Sequence, residues 1–395
     1  MKVGICYIFL SGGLKSDSVQ KKVISQIKGL INSGVVCRGL FFTEDVNKET
    51  DLDENIKLIP YPITNRRFLN IIYQKRALLN YVLKYLLDNI NKNELIYLRY
   101  PGCSYELFKF ARKFKNRIIS EHQAIEIAEI KSLKNEHPLA LNINKLISYF
   151  LYQFWPIYNE LIWSKPYSKM LFAKVAVTNE IAIYHKKHCK SVWVIPNGID
   201  TANYKVRISP SLEDKIKIIF LKGTTGNAPW NGIDRLVNSI DNYHGKEKLE
   251  LIICGNIIEG EVPVRNYINQ TGYMNSEELD RLISTVHFGF STLCLFRKNL
   301  NEAAVLKARE YFARGLPFAY GYTDPDLSTL EIAKKYCFKV ENNDSILNLN
   351  LIINFIKEVY ADPMHTIAMR KIAEEKLDWN VKMKKIKDHI LHQFN

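Results

Sequence analysis

The stretch KVGICYIFLSGGLKSDSVQKKVISQIKGLINSGVVCRGLFFT (residues 2–43) sets the fold class. It opens with a continuous apolar run, as a strand buried on both faces requires. SGGLKSDS (11–18) is a turn. VQKKVISQIKGLINSG (19–34) carries apolar residues at helical spacing and stops at Gly34. VVCRGLFFT (35–43) is a second strand, so the chain begins with a βαβ unit.

The alternation continues. RRFLNIIYQKRALLNYVLKYLLDNI (66–90) reads as a basic, aromatic amphipathic helix. ELIYLRYP, NRIISEH, AKVAVTN and SVWVIPN read as further strands. The pattern restarts after residue 196 with IKIIFLKG as a strand and APWNGIDRLVNSI as a turn entering a helix. LELIICGN, HFGFSTL and PFAYGY supply more strands. NSEELDRLISTV is a helix capped by Asn275 or Ser276. The expectation is α/β: two Rossmann-like, doubly wound parallel-sheet domains facing across a cleft, where open α/β sheets bind ligand. The boundaries expected are 1–195, 196–377, and a terminal helix 378–395 that crosses back to the first domain.

NEAAVLKAREYFARGLP (301–317) reads as a helix of about 13 residues. Asn301 is its N-cap, Glu302 lies in its first turn, and Gly315 with Pro317 stops it. Glu302 and Glu310 would then stand ~12 Å apart along the axis. They cannot share a proton, but they can touch two ends of one extended ligand. The first-turn amides near Ala303, Ala304 and Val305 would face an anionic middle.

This segment resembles the E-x7-E motif of retaining glycosyltransferases of the GT-B fold, in the large family numbered four. Glu302, Leu306, Lys307, Glu310, Tyr311, Ala313, Gly315 and Pro317 match it, while Val305 replaces the usual proline. VIPNGID (194–200) is similar to that family's hinge motif, PWNGIDRL (229–236) to its glycine turn, and LDWNVKMKKI (377–386) to its terminal Trp-containing helix. The resemblance is specific over about 190–320 and only pattern-level before that.

It implies that Glu310 binds the ribose of a nucleotide-sugar and that Glu302 lies at the donor sugar and the reacting face. The amides near 303–305 would hold its phosphates. Positive charge at the diphosphate is expected from Lys307, with Arg297, Lys298 and Lys222 as further sources, Lys222 and the donor-binding candidate Gly223 closing the strand IKIIFLKG. Asn231 stands where the family usually has a base. On the acceptor side, Gly12 and Gly13 allow close backbone approach, and Arg99 and Glu121 end strands. His122 is the candidate catalytic His. Front-face attack by the acceptor, the mechanism implied for this class, needs no protein nucleophile.

No nucleophile triad, metal-ligand spacing, Walker loop, dinucleotide fingerprint or Asp-x-Asp motif is visible. The expectation is therefore a metal-independent enzyme without a cofactor. The seven cysteines are odd in number and widely spaced, with no C-x-x-C. They read as reduced buried thiols of a cytoplasmic protein rather than a disulfide or zinc framework. The N-terminal apolar run reads as a strand rather than a signal peptide. LISYFLYQFWPIYNELIW (146–163) contains Gln153, Pro156, Asn159 and Glu160 and falls short of a membrane span.

Charge is uneven. Residues 1–200 hold 29 Lys+Arg against 17 Asp+Glu, and the remainder 26 against 24. With the basic aromatic segments 66–90 and 146–172, this points to an anionic membrane surface on the inner face of the plasma membrane, which fits the lipid-linked saccharide acceptor that the family resemblance implies. Nucleic acid is not expected, since no binding motif accompanies the charge. Two other readings remain: a GT-B sugar-nucleotide epimerase, and a non-catalytic partner of an active transferase, which the missing base at 231 favours.

Overall fold

The computed structural model describes residues 3–10, 17–43, 53–61, 70–132, 150–212, 215–222, 228–258 and 260–394. Gly12, Gly13 and Gly223 lie outside them.

The chain divides into two compact units: Met1–Ile195 with Lys382–Asn395, and Pro196–Val381. The second ends inside the last helix, Trp379–Phe394, whose later residues belong to the first.

The first unit is built on seven parallel strands: β1 (Gly4–Leu10), β2 (Val36–Thr43), β3 (Ile56–Pro60), β4 (Glu94–Arg99), β5 (Ile118–His122), β6 (Ala173–Ala176) and β7 (Val192–Val194). Their order is β3-β2-β1-β4-β5-β6-β7, the doubly wound arrangement with its switch point between β1 and β4. β1 is buried along almost its whole length because helices cover both faces. On one face Cys6, Ile8, Leu40 and Phe42 pack against Leu79, Val82 and Leu86 of helix Asn70–Asn89. The apolar side of that helix is therefore core. The aromatic side of Phe150–Ser168 is instead open: Phe150, Phe154, Tyr158, Leu161 and Ile162 recur at helical spacing and are all exposed.

The second unit repeats the plan with six parallel strands: β8 (Lys215–Leu221), β9 (Lys248–Cys254), β10 (Ile268–Gly272), β11 (Phe288–Phe290), β12 (Phe318–Tyr320) and β13 (Cys337–Lys339). The order is β10-β9-β8-β11-β12-β13. Ile218, Phe220, Leu251, Ile253, Phe288 and Phe290 form its central layer against helices Ile233–Asp241 and Leu349–Tyr360. Each such fully buried side chain contributes about 1.5–3 kcal/mol.

Asn275 caps helix Ser276–Ile283 with a reciprocal capping box to Glu278. All seven cysteines are free and buried. Among the described residues, no helix is long and apolar enough to cross a membrane.

Candidate functional site

The E-x7-E segment differs from the expected helix. The helix runs Leu306–Arg314 with Val305 at its N-cap and Gly315, at φ 74°, at its C-cap. Asn301 is not its N-cap, and its Oδ1 accepts from Asn342 Nδ2 (3.4 Å). Glu302 instead sits in a parallel bridge with Thr323, where Ala303 N donates to Thr323 O (3.1 Å) and Thr323 N to Asn301 O (2.7 Å). An extended bridge satisfies these backbone groups, so the chain turns helical only after it. Glu302 and Glu310 therefore lie on different elements.

The bridge also settles which amides are spare. The Ala303 amide is used. Among the described residues, those of Ala304, Val305, Leu306 and Lys307 donate to no acceptor. They form the start of a helix, where the macrodipole favours an anion.

The hinge motif fixes this segment. Asn197 Nδ2 donates to Ala304 O (2.8 Å), and Arg309 Nε donates to Asn197 O (3.0 Å). Arg309 is fully buried and forms ion pairs with Asp324 and Asp326. Next to Asn197, Gly198 has room for no side chain: a Cβ would lie 2.9 Å from Leu377 O and from the Trp379 ring. Asp378 accepts from Thr201 N and Oγ1 (3.0 and 2.7 Å), which ties the PNGID and LDW motifs together.

Lys307 is buried on the sheet side of the helix, 4.4 Å above the Phe220 ring, and its Nζ donates to Asn231 Oδ1 (3.0 Å). Burial pushes its pKa down to about 7, with the Glu310 carboxylate opposing the fall. Asn231 is held in turn by its own backbone: its N donates to Ala228 O and its O accepts from Leu293 N. The residue standing in place of a base thus supports the motif lysine.

Two of the other expected cations, Lys222 and Arg297, are paired with carboxylates. Lys222 is buried and paired with Glu261. Arg297 donates to Asp234 (2.8 and 2.9 Å) and to Asp344, so carboxylates surround its guanidinium. Both Arg297 and Glu261 line a cavity of about 380 Å³ beside the Pro229–Asn231 turn. Lys298 lies 3.8 Å over the Trp230 ring. Glu310, part-exposed, accepts from Arg314 (3.4 Å) and lies beside the Tyr204 hydroxyl. Its charge also reaches Cys254 at the end of β9.

In the first unit, Glu121 is an internal hub rather than an open contact. Lys22 (2.6 Å), Gln26 (2.8 Å), Tyr97 (2.8 Å) and Gln123 (2.5 Å) all donate to its buried carboxylate. Burial pushes its pKa up, but Lys22, Tyr97 and Arg99 overcome this and hold it below the usual carboxylate value. Arg99 is half-buried and paired in register with Glu121.

His122 is also enclosed. Its Nδ1 lies 2.8 Å from Glu126 Oε1 and its Nε2 3.2 Å from Ser120 Oγ, while Tyr100 stacks at 4.2 Å. Burial, then Lys174, drives its pKa well below the ordinary imidazole value, so it is neutral. Its nitrogens face Glu126 and Ser120 of its own unit.

Sequence reading missed a second cavity, of about 440 Å³, at the ends of β4 and β5. Tyr100, Glu126, Glu129, Trp155 and Glu160 line it. Glu160 accepts from Tyr100 Oη and Cys103 N (2.6 Å).

No protein-family model matches the sequence, and no curated protein matches it. Solved structures do. Sucrose-phosphate synthase from Thermosynechococcus elongatus superposes with a TM-score of 0.66 at 12% identity, covering 99% of both chains. WaaG, a glycosyltransferase involved in lipopolysaccharide biosynthesis, gives 0.61 at 11% identity, covering 97% of this chain and 99% of that one. HepE from Anabaena, solved with UDP-glucose, gives 0.62 at 13% identity, covering 98% and 100%. Two parallel-sheet α/β units of seven and six strands, shared with these glycosyltransferases along almost their whole length, are the GT-B fold.

Proposed function

We propose that the chain is a retaining glycosyltransferase that moves a sugar from a nucleotide-sugar donor to a saccharide acceptor, lipid-linked, in surface polysaccharide or glycan synthesis. The observation that carries this reading is the grouping around helix Leu306–Arg314: spare amides at 304–307, buried Lys307 against Asn231, and part-exposed Glu310. Amides and a lysine suit a diphosphate, and a carboxylate suits the diol of a ribose. HepE, with the same fold, binds UDP-glucose.

In this reaction the acceptor oxygen bonds to the anomeric carbon on the face the diphosphate leaves. The C–O bond to phosphate breaks, and the acceptor's proton passes to the departing phosphate oxygen. Lys307 and the amides stabilise that charge. Glu302 orients the donor sugar. No metal or cofactor takes part. The exposed aromatic face at 150–162, with the basic charge of the first half, docks on an anionic cytoplasmic membrane surface.

A second reading has support in Asn231, Lys222 and Arg297, which leave Lys307 as the main source of charge: a non-catalytic GT-B partner of an active transferase. Incubation of the purified chain with a panel of nucleotide-sugars and lipid-linked saccharides separates them. A new glycoside with retained anomeric configuration supports transfer. A converted sugar nucleotide indicates an epimerase, and no turnover indicates the partner.

A further inference from the structure

His122 ends β5, Glu126 opens helix Glu126–Ser132, and His185 lies in the last turn of helix Asn179–Lys186. The fold brings them together within the first unit. Glu126 Oε1 is 2.8 Å from His122 Nδ1, Glu126 Oε2 is 3.9 Å from His185 Nε2, and the two rings are 4.0 Å apart. One ligand atom from each residue lies within 4.8 Å of the other two.

His185 is 5% exposed, and its Nε2 is the buried side-chain atom left without a hydrogen-bond partner among the described residues. A buried polar atom left unmatched costs about 1–3 kcal/mol, so one aimed at a carboxylate and a second imidazole calls for a ligand.

We propose that His122, Glu126 and His185 bind a divalent transition cation of the zinc class. Two imidazole nitrogens and one carboxylate oxygen are the donor set such ions take, whereas magnesium and calcium favour all-oxygen sites. Ligand atoms of a tetrahedral ion with bonds of ~2.0 Å stand ~3.3 Å apart. The Glu126 carboxylate approaches His122 Nδ1 to 2.8 Å through one oxygen and His185 Nε2 to 3.9 Å through the other, one on either side of that value. Lys174 Nζ lies 3.0 Å from Nδ1 of His185 and so orients the ring with Nε2 toward the cluster.

Of the three ligands, Glu126 alone lines the 440 Å³ cavity. The ion enters past it, and a fourth position is left for water or for an oxygen of a molecule in the cavity. The three ligands belong to the first unit and helix Leu306–Arg314 to the second, and the proposal concerns the first unit alone. The chain's spacing conceals it, because His185 comes from a distant helix.

The test uses the full chain, stripped with a chelator and dialysed against zinc or cobalt(II). Wild type retains one equivalent of zinc by elemental analysis, and its cobalt form shows the visible bands of a low-coordinate nitrogen–oxygen site. His185→Gln and Glu126→Gln each weaken retention by more than about 100-fold with unchanged far-UV circular dichroism. No retention by wild type overturns the proposal. So does equal retention in both variants, which puts the ion on another of the nine histidines or seven cysteines. If a variant misfolds, the cobalt spectrum of wild type decides: thiolate charge-transfer bands, or the spectrum of the aqueous ion, overturn it. Turnover is not read, so the outcome is independent of the transferase proposal.

Discussion

Lys307 Nζ donates to Asn231 Oδ1 at 3.0 Å while lying 4.4 Å above the Phe220 ring, so a lysine is held nearly dry with one neutral oxygen partner. Burial has taken its pKa from 10.5 to about 7. The unfolded chain keeps that proton to about pH 10, and the folded chain does not. The folded state therefore binds fewer protons between pH 7 and 10. Stability from this group rises with pH across that window, and the burial penalty is full below pH 7.

A bound diphosphate needs the charged form. Nucleoside diphosphate affinity is expected to fall as pH rises from 7 to 9, with proton uptake on binding near neutrality. Lys307→Met removes that dependence and weakens binding by about 2 kcal/mol, roughly 30-fold, while leaving folding stability equal or higher. Calorimetry in buffers of different ionisation enthalpy measures both. A flat pH profile in wild type contradicts the assignment.

Arg309 anchors the same helix from its other side through Asp324, Asp326 and Asn197 O. Arg309→Met removes the buried guanidinium from Asp324 and Asp326 and is expected to cost about 3–5 kcal/mol. Arg309→Lys recovers only part of this, since one ammonium cannot meet three acceptors in a fork. Urea midpoints followed at a second-unit tryptophan, Trp230, report the loss.

At Gly198 a Cβ would meet Leu377 O of the backbone and the buried Trp379 ring at 2.9 Å. Gly198→Ala is expected to cost about 1–3 kcal/mol by overpacking. The change shows as a lowered thermal midpoint, and an unchanged midpoint means the two bridged segments part more easily than the packing implies.

The exposed face of Phe150, Phe154, Tyr158, Leu161 and Ile162 gives a test on vesicles. Phe154→Ser with Leu161→Ser removes two apolar anchors of about 1.5–3 kcal/mol each at full burial. Co-sedimentation with vesicles containing anionic lipid should drop more than tenfold, and wild-type binding should weaken with salt. Equal sedimentation of both proteins removes membrane docking by this face.

The sequence reading was strongest where the chain is buried on both sides. β1, β2, β8 and β9 announce themselves as unbroken apolar runs, and Gly34 and Gly315 as helix stops. β3, β10 and β13 escaped notice. They are edge strands, half-exposed, with polar residues such as Asn269 and Gln270 breaking the pattern. The start of helix Leu306–Arg314 was misplaced because Asn301 has a capping side chain, and only the distant Thr323 diverts that segment into a bridge. Arg309 looked like any helix residue, since its partners lie beyond the helix. His122 was singled out from its place after a strand together with the family resemblance, and its engagement with Ser120 and Glu126 is tertiary information. Helix Asn70–Asn89 looked interfacial, but the sheet covers its apolar side.

The central claim is a nucleotide-sugar donor on the second unit with its ribose at Glu310. Thermal stabilisation by UDP, GDP, dTDP and CMP, in wild type and Glu310→Ala, tests it most directly. A nucleotide at ~100 times its dissociation constant adds about 2.7 kcal/mol. The account predicts that one of the four raises the wild-type midpoint clearly and leaves the Glu310→Ala midpoint nearly unmoved. No shift in wild type with any of them, or equal shifts in both proteins, contradicts it.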